Sequence, residues 1–135
     1  MPGLIADNDV RGPFQHLLYV LQGKSWHDLW TALNFKVQTF AALGLSPNAI
    51  DVVIWQACQQ HEVVLVTGNR KQEGPNSLEA AIRHFNTPDC LPVITLADAD
   101  RISKDKPYAR RTAERLVDYL FELEIYRGAG RLYVP

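Results

Sequence analysis

The chain has 135 residues, enough for one core that buries roughly two-thirds of the surface of the unfolded chain. With 47% hydrophobic and 21% charged residues it is neither disordered nor fibrous in composition. A net charge of -1 rules out a global positive field, so any nucleic-acid or anionic-membrane site has to be local.

The first residues lack a basic segment followed by a long apolar run, and no stretch offers the ~20 consecutive apolar residues of a spanning helix. The expectation is a soluble, unexported, cytoplasmic protein. Short β-rich runs alternate with segments of helical period, which predicts a single α/β domain of three layers with a mainly parallel sheet flanked by helices. Strands are expected at 3–6, 35–39, 63–67 and 91–96, with a short last strand at 131–134 joining an edge. After the first strand, Phe14, Leu17, Leu18 and Leu21 form one apolar face, and Trp26, Leu29, Trp30 and Leu33 form another beyond Gly23, which predicts two short helices.

Ser46-Pro47 places a cap residue before a proline suited to a first helical position. Ile50, Val53, Ile54 and Ala57 follow at helical spacing, so a helix is expected over 47–60. Asn76 and Glu79 have capping-box spacing ahead of Leu78, Ala81, Ile82 and Phe85, which are read as inward, and that helix ends before Thr87-Pro88. The longest helix is expected to begin near Pro107, with Ala109, Ala113, Leu116, Val117, Leu120 and Leu123 as its core stripe, and to be broken by Gly128 and Gly130. Cys58 and Cys90 sit in apolar surroundings without CxxC spacing and read as buried free thiols. No repeat or linker divides the chain.

In an open parallel sheet the crevice beyond the carboxyl ends of the strands is the usual ligand site, which draws attention to the acids there. The first strand runs into Asp7-Asn8-Asp9, where Asp7 serves either function or an Asx turn. Asp51 lies near the start of its helix, where the dipole favours an anion, yet it is embedded among apolar neighbours that suggest a more specific use. The third strand ends in Thr67-Gly68-Asn69-Arg70-Lys71, whose oxygens suit ligands or loop turns equally. The fourth ends in Leu96-Ala97-Asp98-Ala99-Asp100; capping or solvation suits Asp100, and Asp98 stays open. Acids converging at Asp7 and Asp51, with Asn69, would suit Mg²⁺ or Mn²⁺, which bind through a few carboxylates plus water and neutralise charge in phosphodiester hydrolysis.

Basic residues cluster at Arg70 and Lys71, and again over 101–111, where they read as a phosphate-facing group or as solvated helix surface. Trp26, Trp30, Phe35 and Phe40 are at core spacing and read as packing. The four histidines lack zinc-ligand spacing, and the glycine-rich loops of dinucleotide and nucleoside-triphosphate sites and the G-x-S-x-G elbow do not occur.

The segments LIADNDV at 4–10 and AIDVVIWQACQQHEVVLVTGN at 49–69, with the order strand, helices, strand, helix, strand, resemble the PIN-like family, in particular its short uncharacterised bacterial branch. The motif match covers residues 3–70 and the remainder matches only in layout. The resemblance implies a nuclease fold in which Asp7 is the first metal-binding acid and Asp51 the second, and in which Asn69 stands where a T-x-D acid is expected. Asn69 departs from that pattern: an amide supplies oxygen without charge. The family's early Glu has no counterpart before Glu62, a place Asp9 would fill as a third metal-binding group. Thr67, Arg70, Lys71 and Asp98 are the expected substrate-binding residues.

Taken together, the resemblance implies a metal-dependent ribonuclease-like hydrolase with Asp7, Asp51 and Asn69 as its catalytic set and Mg²⁺ or Mn²⁺ as cofactor. The implied partners are RNA and a protein such as an antitoxin, the chain being the toxin of a toxin–antitoxin pair, and a homo-oligomer. The alternative is a catalytically degenerate PIN-like module that binds RNA or a protein partner. A phospho-acceptor receiver is disfavoured, because the third strand ends in Thr67-Gly68-Asn69 where a receiver needs its acceptor Asp.

Overall fold

A computed structural model describes residues 2–69 and 74–135. Five parallel strands form one sheet in the order β2-β1-β3-β4-β5: β1 Gly3–Ala6, β2 Lys36–Val37, β3 Val63–Thr67, β4 Val93–Leu96 and β5 Arg131–Val134. The expected α/β architecture with helices on both faces is what the chain adopts. The helices are α1 Arg11–Leu21, α2 His27–Leu33, α3 Asp51–Gln60, α4 Leu78–Phe85, α5 Ala99–Lys104 and α6 Lys106–Phe121.

Strand side chains alternate between faces, and the two cores follow that alternation. Leu4, Val64, Val66, Ile94 and Leu96 pack with Phe14, Leu17 and Leu21 of α1 and Ala113, Leu116 and Leu120 of α6. Ile5, Val63, Leu65 and Val93 pack on the opposite face with Ile54, Trp55 and Cys58 of α3 and Leu78, Ala81 and Ile82 of α4. Because the inner strands are covered on both sides, they read as continuous apolar runs. The connection through α5 and α6 lies on the same face as the one through α1 and α2 but crosses the sheet in the opposite direction. The two therefore have opposite hands, although about 98% of parallel crossovers share one.

The first, third and last expected strands have the expected bounds. The expected strand at 35–39 shrinks to Lys36–Val37, paired only with Gly3 and Leu4 at the exposed sheet edge, and the one at 91–96 starts at Val93. The helix expected from Pro47 begins instead at Asp51. Ser46 Oγ accepts from the Asn48 backbone N–H and Ala49 N–H bonds to the Ser46 carbonyl, so the Ser-Pro pair makes a turn. The buried face of α3 is correspondingly rotated to Ile54, Trp55 and Cys58, leaving Ile50 and Val53 exposed.

Ser77, not Asn76, caps α4 by accepting from Ala80 N–H, and Phe85 points outward, about half exposed. In α6 the Asp105 carboxylate caps the first turn through Tyr108 N–H. That helix stops at Phe121, well before Gly128 and Gly130, which take positive φ at the entry to β5; a Cβ on Gly128 would meet the Pro88 backbone at 3.0 Å. Phe40 is buried, while Trp26, Trp30 and Phe35 pack on the core only in part. Both cysteines are free; Cys58 is buried and Cys90 half-buried. Among the described residues no helix is long and apolar enough to cross a membrane.

Candidate functional site

From β1 the chain moves one way to β2, and α3 then carries it back across β1 to β3. Neighbouring strands β1 and β3 are therefore the switch point, where the connections leave in opposite directions and a crevice opens beyond the strand ends. Asp7 follows β1, and Thr67, Gly68 and Asn69 end and follow β3. Asn8 donates through Nδ2 to the Pro47 carbonyl at 2.9 Å, which ties the turn ahead of α3 to the end of β1. Asp51, the first residue of α3, is thereby brought to the same rim.

The side chains form one chain of contacts. Asp7 is only 8% exposed: its Oδ1 accepts from Asn8 N–H at 2.8 Å, and its Oδ2 accepts from the Thr67 hydroxyl at 3.0 Å. Thr67 Oγ1 in turn accepts from Asn69 N–H at 3.0 Å. Asn69 then donates through its side-chain nitrogen Nδ2 to Asp51 Oδ2 at 2.9 Å. The expected trio of Asp7, Asp51 and Asn69 is thus linked, with Thr67 as the connector. Thr67, expected to contact substrate, is fully buried here, with its hydroxyl engaged on both sides as a support between Asp7 and Asn69.

Asp9 reaches the same loop by accepting from Gly68 N–H at 3.2 Å. A Cβ on Gly68 would stand 3.1 Å from Val10 Cγ1 and 3.2 Å from Asp9 Oδ2, so this close approach depends on glycine. Loss of water on its inner side, and secondly the neighbouring Asp7 carboxylate, raise the Asp9 carboxyl above its ordinary value. Burial also acts on Cys58, the thiol on the inner face of α3, and with the Asp7 charge as the smaller cause pushes it up to about 12.

Sequence reasoning missed the residue that holds this loop from behind. Arg131, at the start of β5, spans β4: its Nη1 donates to the Asn69 carbonyl and to Thr95 Oγ1, both at 2.7 Å, and its Nη2 donates to Glu79 Oε2 at 2.9 Å. The only local signals were a lone Thr in an apolar strand and an Arg opening another. Glu79, expected in a capping box, serves this pair instead. Asp98 is exposed and caps α5 by accepting from Arg101 N–H at 3.3 Å. Arg70 and Lys71 lie outside the described residues.

A hard cation needs anionic oxygens that converge on one point. Asp7 already meets two donors, and Asn69 turns a donor nitrogen, which cannot ligate a cation, toward Asp51. Among the described residues no three Asp, Glu, His or Cys side chains group as a cation ligand set. Among these described side chains, then, no set of three ligands stands ready for the Mg²⁺ or Mn²⁺ that the resemblance implies, and a cation there would draw on the carboxylates of Asp7 and Asp51 together with water. Comparison with protein-family models, with curated proteins and with solved structures finds no match.

Proposed function

We propose that the chain is a PIN-like module whose strand-end crevice binds a protein partner and does not itself cleave RNA. The observation that carries this reading is the 2.9 Å hydrogen bond from the Asn69 amide nitrogen to Asp51. The amide gives Asp51 a donor without bringing a charge, so the crevice keeps the negative charge of Asp7, Asp9 and Asp51. Arg131 does not offset it, being already paired with Glu79. Taken over the described residues, such a crevice repels a phosphate backbone and attracts Lys and Arg side chains, which favours a basic protein segment, as an antitoxin would present. A cytoplasmic setting accords with the free thiols of Cys58 and Cys90.

Fluorescence anisotropy with a labelled Arg/Lys-rich peptide and a labelled single-stranded RNA tests it. The peptide is expected to bind, more weakly to Asp51→Asn and at high salt, and the RNA is not. RNA binding without the peptide would overturn the reading.

A second reading, the metal-dependent ribonuclease-like toxin, is favoured by the crowding of Asp9 by Asp7. A carboxylate crowded by a second one is relieved by a cation. RNA cleavage that requires Mn²⁺ and vanishes in Asp7→Asn would support it over the first.

A further inference from the structure

Part of the charge pattern of α6 runs against what an isolated helix prefers. Arg111, Arg115 and Asp118 of α6, and Glu122 that ends the helix, are all exposed and follow the spacing i, i+4, i+7, i+11, which places them in one stripe along the solvent face. Within the stripe the i,i+4 neighbours are alike in sign, Arg111 with Arg115 and Asp118 with Glu122, a placement that weakens a helix. The stripe also opposes the helix dipole, which favours acids at the start and bases at the end. The first turn of α6 holds no acid and its last turn no base. Among the described residues none of the four forms an ion pair within the chain. Arg115 lies over the Tyr119 ring at 4.4 Å, which keeps it on the stripe.

An antiparallel copy of the same helix would set an opposite charge against each of these four side chains. We infer that the exposed face of α6 pairs with the same face of a second copy of this chain. In that arrangement Arg111 faces Glu122 of the second copy and Arg115 faces its Asp118, and the two-fold axis repeats both pairs. Each basic half then lies near the negative end of the other helix dipole. Apolar shoulders flank the stripe: Leu29 and Phe121 on one side, the latter 68% exposed, and Tyr133 on the other. This face stands apart from the strand-end crevice, and the pairing does not depend on what the crevice binds.

A charge swap tested by sedimentation equilibrium decides it. Wild type is expected to dimerise, and Arg111→Glu/Arg115→Glu and Asp118→Arg/Glu122→Arg are each expected to weaken self-association by roughly a hundredfold or more. Mixed in equal amounts, the two reversed proteins are expected to dimerise again, since each then meets the opposite sign. A wild-type monomer, reversed variants that self-associate like wild type, or a mixture that stays monomeric would each overturn the pairing. So would a monomer that retains single-stranded RNA through the same arginines. If circular dichroism shows that a reversal disturbs the fold, the wild-type dimer alone is diluted in rising NaCl. Weakening is then expected, and insensitivity to salt overturns the proposal.

Discussion

Removing the Arg131 fork should both destabilise the domain and loosen the site, although Arg131 lies at the far end of the sequence from Asp7. Its side chain is 9% exposed, and Arg131→Ala strands three acceptors: the Asn69 carbonyl, the fully buried Thr95 hydroxyl and the Glu79 carboxylate, itself 27% exposed. Breaking a buried pair by removing one partner costs ~3–5 kcal/mol, and the solvent open to Glu79 places this pair at the lower end, ~3 kcal/mol. At an m-value of ~1.5 kcal/mol/M in urea, the unfolding midpoint falls by ~2 M. Arg131→Lys keeps the charge but not the planar fork, so it should lose about half as much. Hydrogen exchange at the Asn69 amide should quicken in both variants. A loss below ~1 kcal/mol for Arg131→Ala, with unchanged exchange at Asn69, would refute the claim that this residue holds the loop.

Asp9→Asn is expected to stabilise the protein at neutral pH by less than ~1 kcal/mol, because the side chain is open to solvent on one side. Since folding raises the Asp9 carboxyl above 3.8, its protonated form contributes stability that is complete below that value and lost as pH rises through the raised one. The gain of the variant should therefore fade toward acid pH, as urea titrations at several pH values would show. Gly68→Ala drives a Cβ against Val10 and Asp9 and should cost ~1 kcal/mol in the same assay. In the native state at pH 8, thiol alkylation followed by mass spectrometry should label Cys90 and leave buried Cys58, pushed up to about 12, unmodified.

What the sequence made legible was local. The strands at 3–6 and 63–67 have the expected bounds because each is an apolar run closed by turn residues, the second of them largely β-branched, and the rule that parallel strand ends gather the site then pointed to Asp7 and Asn69. The start of α3 was misread because a contact between residues 39 apart in sequence, Asn8 with the Pro47 carbonyl, fixes it, and no periodic pattern records that. Phe85 fits an inward helical spacing, yet α4 turns its other side to the core. Arg131 escaped notice for the same reason as Asn8: its partners Asn69, Glu79 and Thr95 become neighbours only when β5 docks beside β4. The stripe on α6 could be read as helix surface, and only the structure shows that its four charges form no ion pair among the described residues.

The most direct test of the central claim, that the amide of Asn69 stands beside Asp51 in place of an acid, is calorimetric titration of wild type and Asn69→Asp with Mn²⁺. At an effective dielectric of ~20, an added unit charge ~4 Å from a divalent ion is worth several kcal/mol before desolvation and repulsion among the acids reduce it. Wild type is expected to show no saturable binding below millimolar Mn²⁺, and Asn69→Asp to bind at least about tenfold more tightly. Tight Mn²⁺ binding by wild type, left equal or weakened by Asn69→Asp, would contradict the claim.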